Sequence, residues 1–331
     1  MWASLLWFSV AGFALLLLGM KLTEFALKSW AGNRLSSWMS RATSTPFRGF
    51  LFGTAASALL QSSTAVTVLT IGFVNAGWMT LSRSFGILLG TNVGTCLTTE
   101  LMSLQFHRFG GPLVLLAIAA WMLTAVGHEL RVSRSDRGKP AGGILYIRYG
   151  SVAAAGLGLL FIGFGILQRM APLLRENGYF NLLLNHAEKN AIWGLLGGAA
   201  LAAAIHSSAA VIGMAMSLAG AGALPPEAGI AIVLGANVGT CFTGLVASLG
   251  GGRGGRFVAL SQLGINGVGA LLFLPLIPLL HSAAAALAPS DLSAQIAHAQ
   301  TLFNVVSSVA ALPIAYLFGR SVLAEPASPR T

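Results

Sequence analysis

The chain has 331 residues, of which 55% are hydrophobic and only 8% charged, against roughly 25% charged in an ordinary soluble domain. That balance excludes a typical soluble fold and gives a polytopic protein whose solvent is the lipid bilayer. The net charge of +10 would suit nucleic acid in a soluble protein. Here the Lys and Arg residues sit in short connections between apolar runs, where they set membrane orientation, so no nucleic-acid partner is expected.

About 20 apolar residues cross the roughly 30 Å of hydrocarbon. The first such run, 2–20, reads as a retained helix, because no basic segment precedes it and no small-residue cleavage site closes it. The stretch 49–76 is too long for one helix and too short for two. It is rich in Gly, Ala and Ser with polar residues at its middle, so it reads as a re-entrant hairpin of two half-helices. Crossings follow at 84–105, 112–130 and 150–168, then a second hairpin at 191–220, then crossings at 228–250, 257–280 and 297–318. The expected fold is an all-α membrane protein with about seven full crossings and two hairpins.

Lys28, Arg34, Arg41, Arg48 and Arg83 flank the first hairpin, and Arg131, Arg134, Arg137, Lys139 and Arg148 fill the one strongly polar linker. Both regions are therefore predicted to be cytoplasmic. With the N-terminus outside, Arg253, Arg256 and Arg320 also fall inside and residues 169–190 fall outside. Three crossings separate the hairpins, so they enter from opposite sides. This predicts two inverted-topology repeats of the transmembrane domain, 1–140 and 141–331, an arrangement used by many secondary transporters.

The repeat is written in the residues. Gln61-Ser62-Ser63-Thr64-Ala65-Val66 and Gly90-Thr91-Asn92-Val93-Gly94-Thr95-Cys96 recur 145 positions later as His206-Ser207-Ser208-Ala209-Ala210-Val211 and Gly235-Ala236-Asn237-Val238-Gly239-Thr240-Cys241. From 61 to 98 the copies align without a gap, and 15 of the 38 positions are identical. A break in a membrane helix survives only where it is buried in protein or lines a cavity. At such a break one half-helix offers free amides and a positive dipole end to an anion. The other offers carbonyl oxygens to a hard cation. Ser62, Ser63, Thr64, Ser207 and Ser208 add hydroxyls that serve either ion, while Thr91, Asn92, Thr95, Asn237 and Thr240 add neutral oxygens. Neither motif contains Asp or Glu, which favours a monovalent cation over protons or divalent metals. Any one Ser or Thr alone reads as back-bonding or helix packing; the duplicated constellation reads as a site.

These motifs resemble the first and second signatures of the type II sodium/phosphate cotransporter family, whose repeats carry a Gln-Ser-Ser-Ser core followed by Gly-Ala-Asn-Ile-Gly-Thr. The lead-ins Leu18-Gly19-Met20-Lys21-Leu22 with Ala31-Gly32-Asn33, and Leu160-Phe161-Ile162-Gly163-Phe164-Gly165, resemble it too, as does Leu302-Phe303-Asn304-Val305 after His298. The resemblance covers nearly the whole chain. It implies a sodium-coupled symporter of inorganic phosphate in a bacterial cytoplasmic (inner) membrane, not an enzyme, with Na+ as coupling ion, no organic cofactor and a homodimer as one option for assembly. It implies phosphate at Gln61, Ser62, Ser63, Thr64, His206, Ser207 and Ser208. For sodium it implies Ser63, Thr91, Asn92, Thr95, Ser208, Asn237 and Thr240. Some bacterial members carry a regulatory domain after the membrane part; with none in this sequence, regulation of that kind is not expected.

Departures from the pattern accompany it. His206 stands where the family has Gln, which trades an amide for an imidazole able to change charge near neutral pH. It reads as a neutral replacement for the Gln hydrogen bonds. Thr64 and Ala209 replace the third serine. Glu100, whose repeat partner is Leu245, is expected to snorkel to the interface, and Cys96 and Cys241 to pack as small residues without a disulfide. Alternatives are a carrier of another small oxyanion, a phosphate exporter, and, more distantly, an intramembrane hydrolase using His206 and Ser207.

Overall fold

The computed structural model describes residues 2–31, 43–104, 109–132, 142–169, 190–249 and 252–321. Residues 133–141 of the expected cytoplasmic linker and 170–189 of the expected outer loop lie outside these residues, as do Arg34 and Arg41. Every regular element among the described residues is helical. Among the described residues, five helical stretches are long and apolar enough to cross a membrane: Leu6–Ala31, Gly143–Gln168, Pro226–Ser248, Arg253–Leu287 and Leu292–Leu317. The predicted crossings 84–105 and 112–130 are also helical, as Leu81–Ser103 and Gly110–Val132.

The chain divides into two compact units. The first holds α1 (Trp2–Ala31), α5 (Gly110–Val132) and α6 (Gly142–Gln168), so it draws helices from both sides of residue 140. Helix α1 runs well past the predicted end at 20. Lys21 and Lys28 both pair with Glu24 at helical spacing, and such i,i+3 and i,i+4 pairs let the helix continue through charged positions. Helices α1 and α6 are antiparallel and close: a Cβ on Gly12 would meet Leu167, and one on Gly19 would meet the Gly156 carbonyl and the Leu160 backbone. Small residues permit this approach where no hydrophobic force drives helices together in lipid.

The second unit contains everything else described. Helix α2 (Pro46–Leu60) is followed by α3 (Ser63–Asn75), and after a short turn by α4 (Leu81–Ser103). The same series recurs as α7 (Ala191–Ile205), α8 (Ser208–Gly220) and α9 (Pro226–Gly239), with α10 (Cys241–Ser248) continuing α9. Thr45 caps α2 and Asn190 caps α7, 145 residues apart. Helix α11 (Arg253–Phe273) passes through a 3-10 turn at Leu274–Leu276 into α12 (Ile277–Leu287). Pro275 and Pro278 remove amide donors there and force the change of geometry. The last helix is α13 (Leu292–Ser321).

Glycine seams lock the repeated pairs. On α4, a Cβ at Gly86, Gly90 or Gly94 would strike the carbonyl of Pro46, Phe50 or Thr54 on α2. On α9, one at Gly235 or Gly239 would strike that of Leu195 or Ala199 on α7. The aligned positions 90 and 235 thus meet the aligned carbonyls 50 and 195.

Helix α13 orders the unit. Near its C-terminal end the Ala315 carbonyl accepts from Ser82 at the start of α4. Midway, the Leu89 carbonyl accepts from Ser308 at 3.0 Å. Near its N-terminal end, His298 and Thr301 hold Glu100 at the end of α4. Helix α4 is therefore antiparallel to α13. At the start of α9, a Cβ on Gly229 would meet Ile296, and Ile230, Ala231 and Leu234 share a core with Ala299 and Phe303, so α9 runs parallel to α13.

Candidate functional site

Both Ser-rich motifs are helix breaks. Gln61 ends α2 at φ +50° and His206 ends α7 at φ +57°, and they are the two non-glycine residues with positive φ among the described residues. A left-handed conformation costs an L-residue roughly 1–2 kcal/mol. The backbone then extends at Ser62 (φ −151°) and Ser207 (φ −153°), which start α3 and α8. The Ser62 hydroxyl oxygen accepts from the Ala65 amide at 3.2 Å, and the Ser207 oxygen from Ala210 at 3.2 Å. These caps satisfy one of the amides left open at each helix start. The remaining first-turn amides, from Ser63 and Thr64 and from Ser208 and Ala209, face the break with the positive end of the helix dipole behind them.

The αL residues differ in their surroundings. His206 is exposed, its Nδ1 lies 2.9 Å from the Thr243 hydroxyl, and its ring stacks on Phe242. The aligned pair in the first repeat is Gln61 and Thr98. There the Gln61 Oε1 and the Thr98 Oγ1 are buried without a hydrogen-bond partner. His206 thus satisfies its own half-site, and the first half-site keeps two open oxygens.

The neutral-oxygen residues lie on α4 and α9. Thr91 donates to Leu88 O, Thr95 to Thr91 O, and Thr240 to Ala236 O and Asn237 O. This back-bonding uses each hydroxyl proton and leaves the lone pairs to accept. Ser57 on α2 donates to Thr91 O at 3.2 Å and lies 3.4 Å from Thr95 Oγ1. Asn92 and Asn237 are buried. The Asn92 amide donates to Asn266 Oδ1 at 2.6 Å, and the Asn266 amide donates to Asn237 O at 2.9 Å and Cys241 Sγ at 3.2 Å. One side chain on α11 thus joins both Gly-x-Asn motifs. Its entry at the Asn237 carbonyl coincides with the interruption between α9 and α10, the effect of a side chain inserted into a helical ladder.

Two groups of residues were not singled out from the sequence, and a third was assigned another role there. Asn266 is the first. The second is Gln300 with Asn304 on α13: Asn304 donates to Cys96 Sγ at 3.3 Å, while both Gln300 amide atoms and the Asn304 Oδ1 are buried and unpartnered. A signal existed, since Gln262-x-x-x-Asn266 and Gln300-x-x-x-Asn304 repeat one spacing, each set against one cysteine. Those cysteines are buried and free, as expected, but they accept hydrogen bonds as well as pack. The third is Glu100, which does not simply snorkel: His298 Nδ1 lies 3.0 Å from its carboxylate and Thr301 donates to it.

The arrangement presents amides and hydroxyls at two breaks, with buried amide oxygens on the helices beside them. Among the described residues no group of three or more His, Cys, Asp or Glu side chains is placed to hold a metal ion. The chemistry on offer is ligand binding by neutral groups.

The sequence pattern of the family described as Na+/Pi-cotransporter matches residues 15–169 and 173–284. A Bacillus subtilis (strain 168) protein named "Uncharacterized protein YqeW" is 31% identical over 92% of this chain and 93% of its own length. Proteins named "Putative inorganic phosphate export protein YjbB" are 25% identical: that of Escherichia coli O157:H7 over 91% of this chain and 52% of its length, and that of strain K12 over 81% and 46%. The chain therefore spans about half the length of the YjbB relatives. No solved structure matches it. With its motifs broken and capped alike and its sequence matched nearly end to end, the chain is an integral membrane protein that belongs to the Na+/Pi-cotransporter family.

Proposed function

We propose that the protein is a secondary transporter of inorganic phosphate, coupled to sodium and working by alternating access in the cytoplasmic membrane of a bacterium. The observation that carries this reading is the paired break: Gln61-Ser62 and His206-Ser207 adopt the same αL-then-extended geometry with the same serine cap. Two half-sites, one from each inverted repeat (1–140 and 141–331), form the binding centre. The opposite directions of α4 and α9 along α13 support the inversion.

Phosphate is held by first-turn amides and by Gln61, Ser62, Ser63, Thr64, His206, Ser207 and Ser208. Amides and hydroxyls donate to an oxyanion without placing a fixed charge in the membrane. Sodium is taken by neutral oxygens from Ser63, Thr91, Asn92, Thr95, Ser208, Asn237 and Thr240, with the open oxygens of Gln61 and Thr98 beside them. A hydrolase reading is disfavoured, because His206 turns Nδ1 to Thr243 and Ser207 turns its oxygen to Ala210 N. Phosphate export is a second reading, favoured by the names of the YjbB relatives.

The test is uptake of radiolabelled phosphate into proteoliposomes with sodium, potassium or choline outside. Uptake is expected with sodium alone. Equal uptake in sodium-free buffer under an imposed pH step would replace sodium coupling by proton coupling.

A further inference from the structure

Within the second unit, charge is sorted by end. Arg48 stands in the first turn of α2, Arg83 in that of α4, and Arg253 and Arg256 in that of α11. The fold gathers these three helix starts. Gly86 abuts the Pro46 carbonyl, and the backbone at Gly49 abuts that of Arg83. The Gly255 amide donates to Asn75 Oδ1 at 2.8 Å, which ties the start of α11 to the end of α3. The C-terminal part of α13 joins this end through Ser82 and Ala315, and Arg320 lies five residues further along that helix.

Among the described residues of this unit, the acidic ones lie at the other end. Glu100 meets His298, Glu227 faces His281, and Asp291 caps the start of α13. No Lys or Arg occurs from Asn190 to Leu249 or from Ile277 to Gln300, and no Asp or Glu occurs in α2, α3 or α11. The 17 residues from Arg83 to Glu100 along α4 separate the two ends by about 26 Å of helix.

The mouth of the first broken hairpin is therefore basic and that of the second acidic. Resting on the phosphate-transport reading, we propose that the basic mouth, built by Arg48, Arg83, Arg253 and Arg256, is the phosphate-collecting vestibule. The carrier then captures phosphate more readily from this face than from the other. A cleft lined by one sign of charge between low-dielectric walls concentrates the opposite ion and raises its on-rate by about 10- to 1000-fold. Phosphate, carrying one to two negative charges, is drawn to the arginines. At the acidic mouth it is repelled while sodium is drawn in. By the positive-inside rule the basic mouth faces the cytoplasm, so the asymmetry suits loading from within the cell. An anionic lipid headgroup would present the same phosphate chemistry to the same arginines, and the test separates the two.

The full chain is reconstituted into vesicles of neutral or of anionic lipid. Phosphate exchange is measured at each face of sorted vesicles, with ionic strength set by choline chloride. In the wild type, half-saturating phosphate at the basic face is expected to be lower, by about tenfold at low salt, with the gap closing as salt rises. Replacing the four arginines by Gln raises it at that face only, and replacing them by Lys restores it, in both lipids. Equal, salt-independent values at both faces would overturn the proposal. So would a Gln defect confined to anionic vesicles, or one in maximal rate alone, since either assigns the arginines to lipid or to orientation. Complete absence of phosphate exchange in the wild type would instead remove the transport reading itself.

Discussion

The Asn92 amide donates to the side-chain oxygen of Asn266 at 2.6 Å, 174 residues away in sequence. Asn266 returns its own amide to the Asn237 carbonyl and the Cys241 sulfur. A change at one Gly-x-Asn motif therefore reaches the other through one buried side chain, without passing through the Ser-rich breaks.

Asn266→Ala is expected to leave the Asn92 amide without its partner, together with the Asn237 carbonyl's partner from α11. Each unsatisfied buried group costs about 1–3 kcal/mol. Thermal unfolding in detergent should drop by several degrees, and phosphate uptake should fall more steeply than stability does. Asn266→Asp keeps an acceptor for Asn92 but sets a buried carboxyl oxygen against the Asn237 carbonyl and the Cys241 sulfur, so its stability should fall at least as far. Unchanged uptake and unfolding in Asn266→Ala would show that the bridge does not support the site.

The serine caps allow a sharper separation of fold from function. Ser62→Ala and Ser207→Ala each remove an N-cap, at about 0.5–2 kcal/mol, whereas glycine at an N-cap costs only a few tenths. Ser62→Gly and Ser207→Gly should therefore fold nearly as well as the wild type, yet lose coupled transport because the hydroxyl is gone. Thr64→Ala should be mild, since its counterpart is already Ala209. Wild-type uptake with normal sodium dependence in both glycine variants would move the site elsewhere.

The left-handed residues test the same division from the opposite side. Glycine adopts positive φ without the side-chain penalty, so Gln61→Gly should match or exceed wild-type thermal stability by up to about 1 kcal/mol. Transport should nevertheless fall, because Gln61 Oε1 is one of the open buried oxygens of the first half-site. His206→Gln should retain transport, since it restores the amide of the other copy. Gln61→Gly with full activity would leave the Gln side chain a purely structural residue.

Much of this fold was legible in the sequence, and the reason is the duplication. A break is hard to see in one apolar run, but two runs of odd length carrying the same Ser-Ser at the same offset locate both, and the two broken helix pairs, 46–75 and 191–220, lie close to the predicted limits. Helix ends were less legible. Apolarity stops near Met20, while α1 continues to Ala31 through ion pairs that a hydropathy reading treats as a boundary. Long-range polar partners were not legible at all. Nothing in helical periodicity ties Asn266 to Asn92, Asn304 to Cys96 or His298 to Glu100, because each bond depends on how distant helices cross. The asymmetry of the half-sites was legible as His206 against Gln61, but its meaning needed Thr243 and Thr98 in place.

The glycine seams predict a clear contrast in tolerance. Gly90→Ala and Gly235→Ala would each drive a methyl into a backbone carbonyl, of Phe50 or of Leu195, and backbone cannot move aside as a side chain can. Both should reduce folded yield severely. At Gly197 and Gly264 a Cβ meets nothing within 4 Å, and alanine is favoured over glycine inside a helix by about 1 kcal/mol. Gly197→Ala and Gly264→Ala should fold at least as well as the wild type. Size-exclusion profiles and unfolding midpoints of the four proteins would check this, and normal folding of Gly90→Ala would contradict the seam.

Inversion of the repeats can be tested without touching the site. Trp78, in the turn between α3 and α4, is 71% exposed at the basic end, and Ala221 occupies the corresponding turn after α8. Both native thiols are buried, so single cysteines at these turns should report with little background. Trp78→Cys should react with a membrane-impermeant thiol reagent only from the cytoplasmic face, and Ala221→Cys only from the other. Cysteines placed at 140 and 180 should divide in the same way, because charge placement puts the polar linker inside and the later loop outside. Labelling of positions 78 and 221 from one face would mean parallel repeats, and the two half-sites could then not be exchanged across the membrane by an inverted pair.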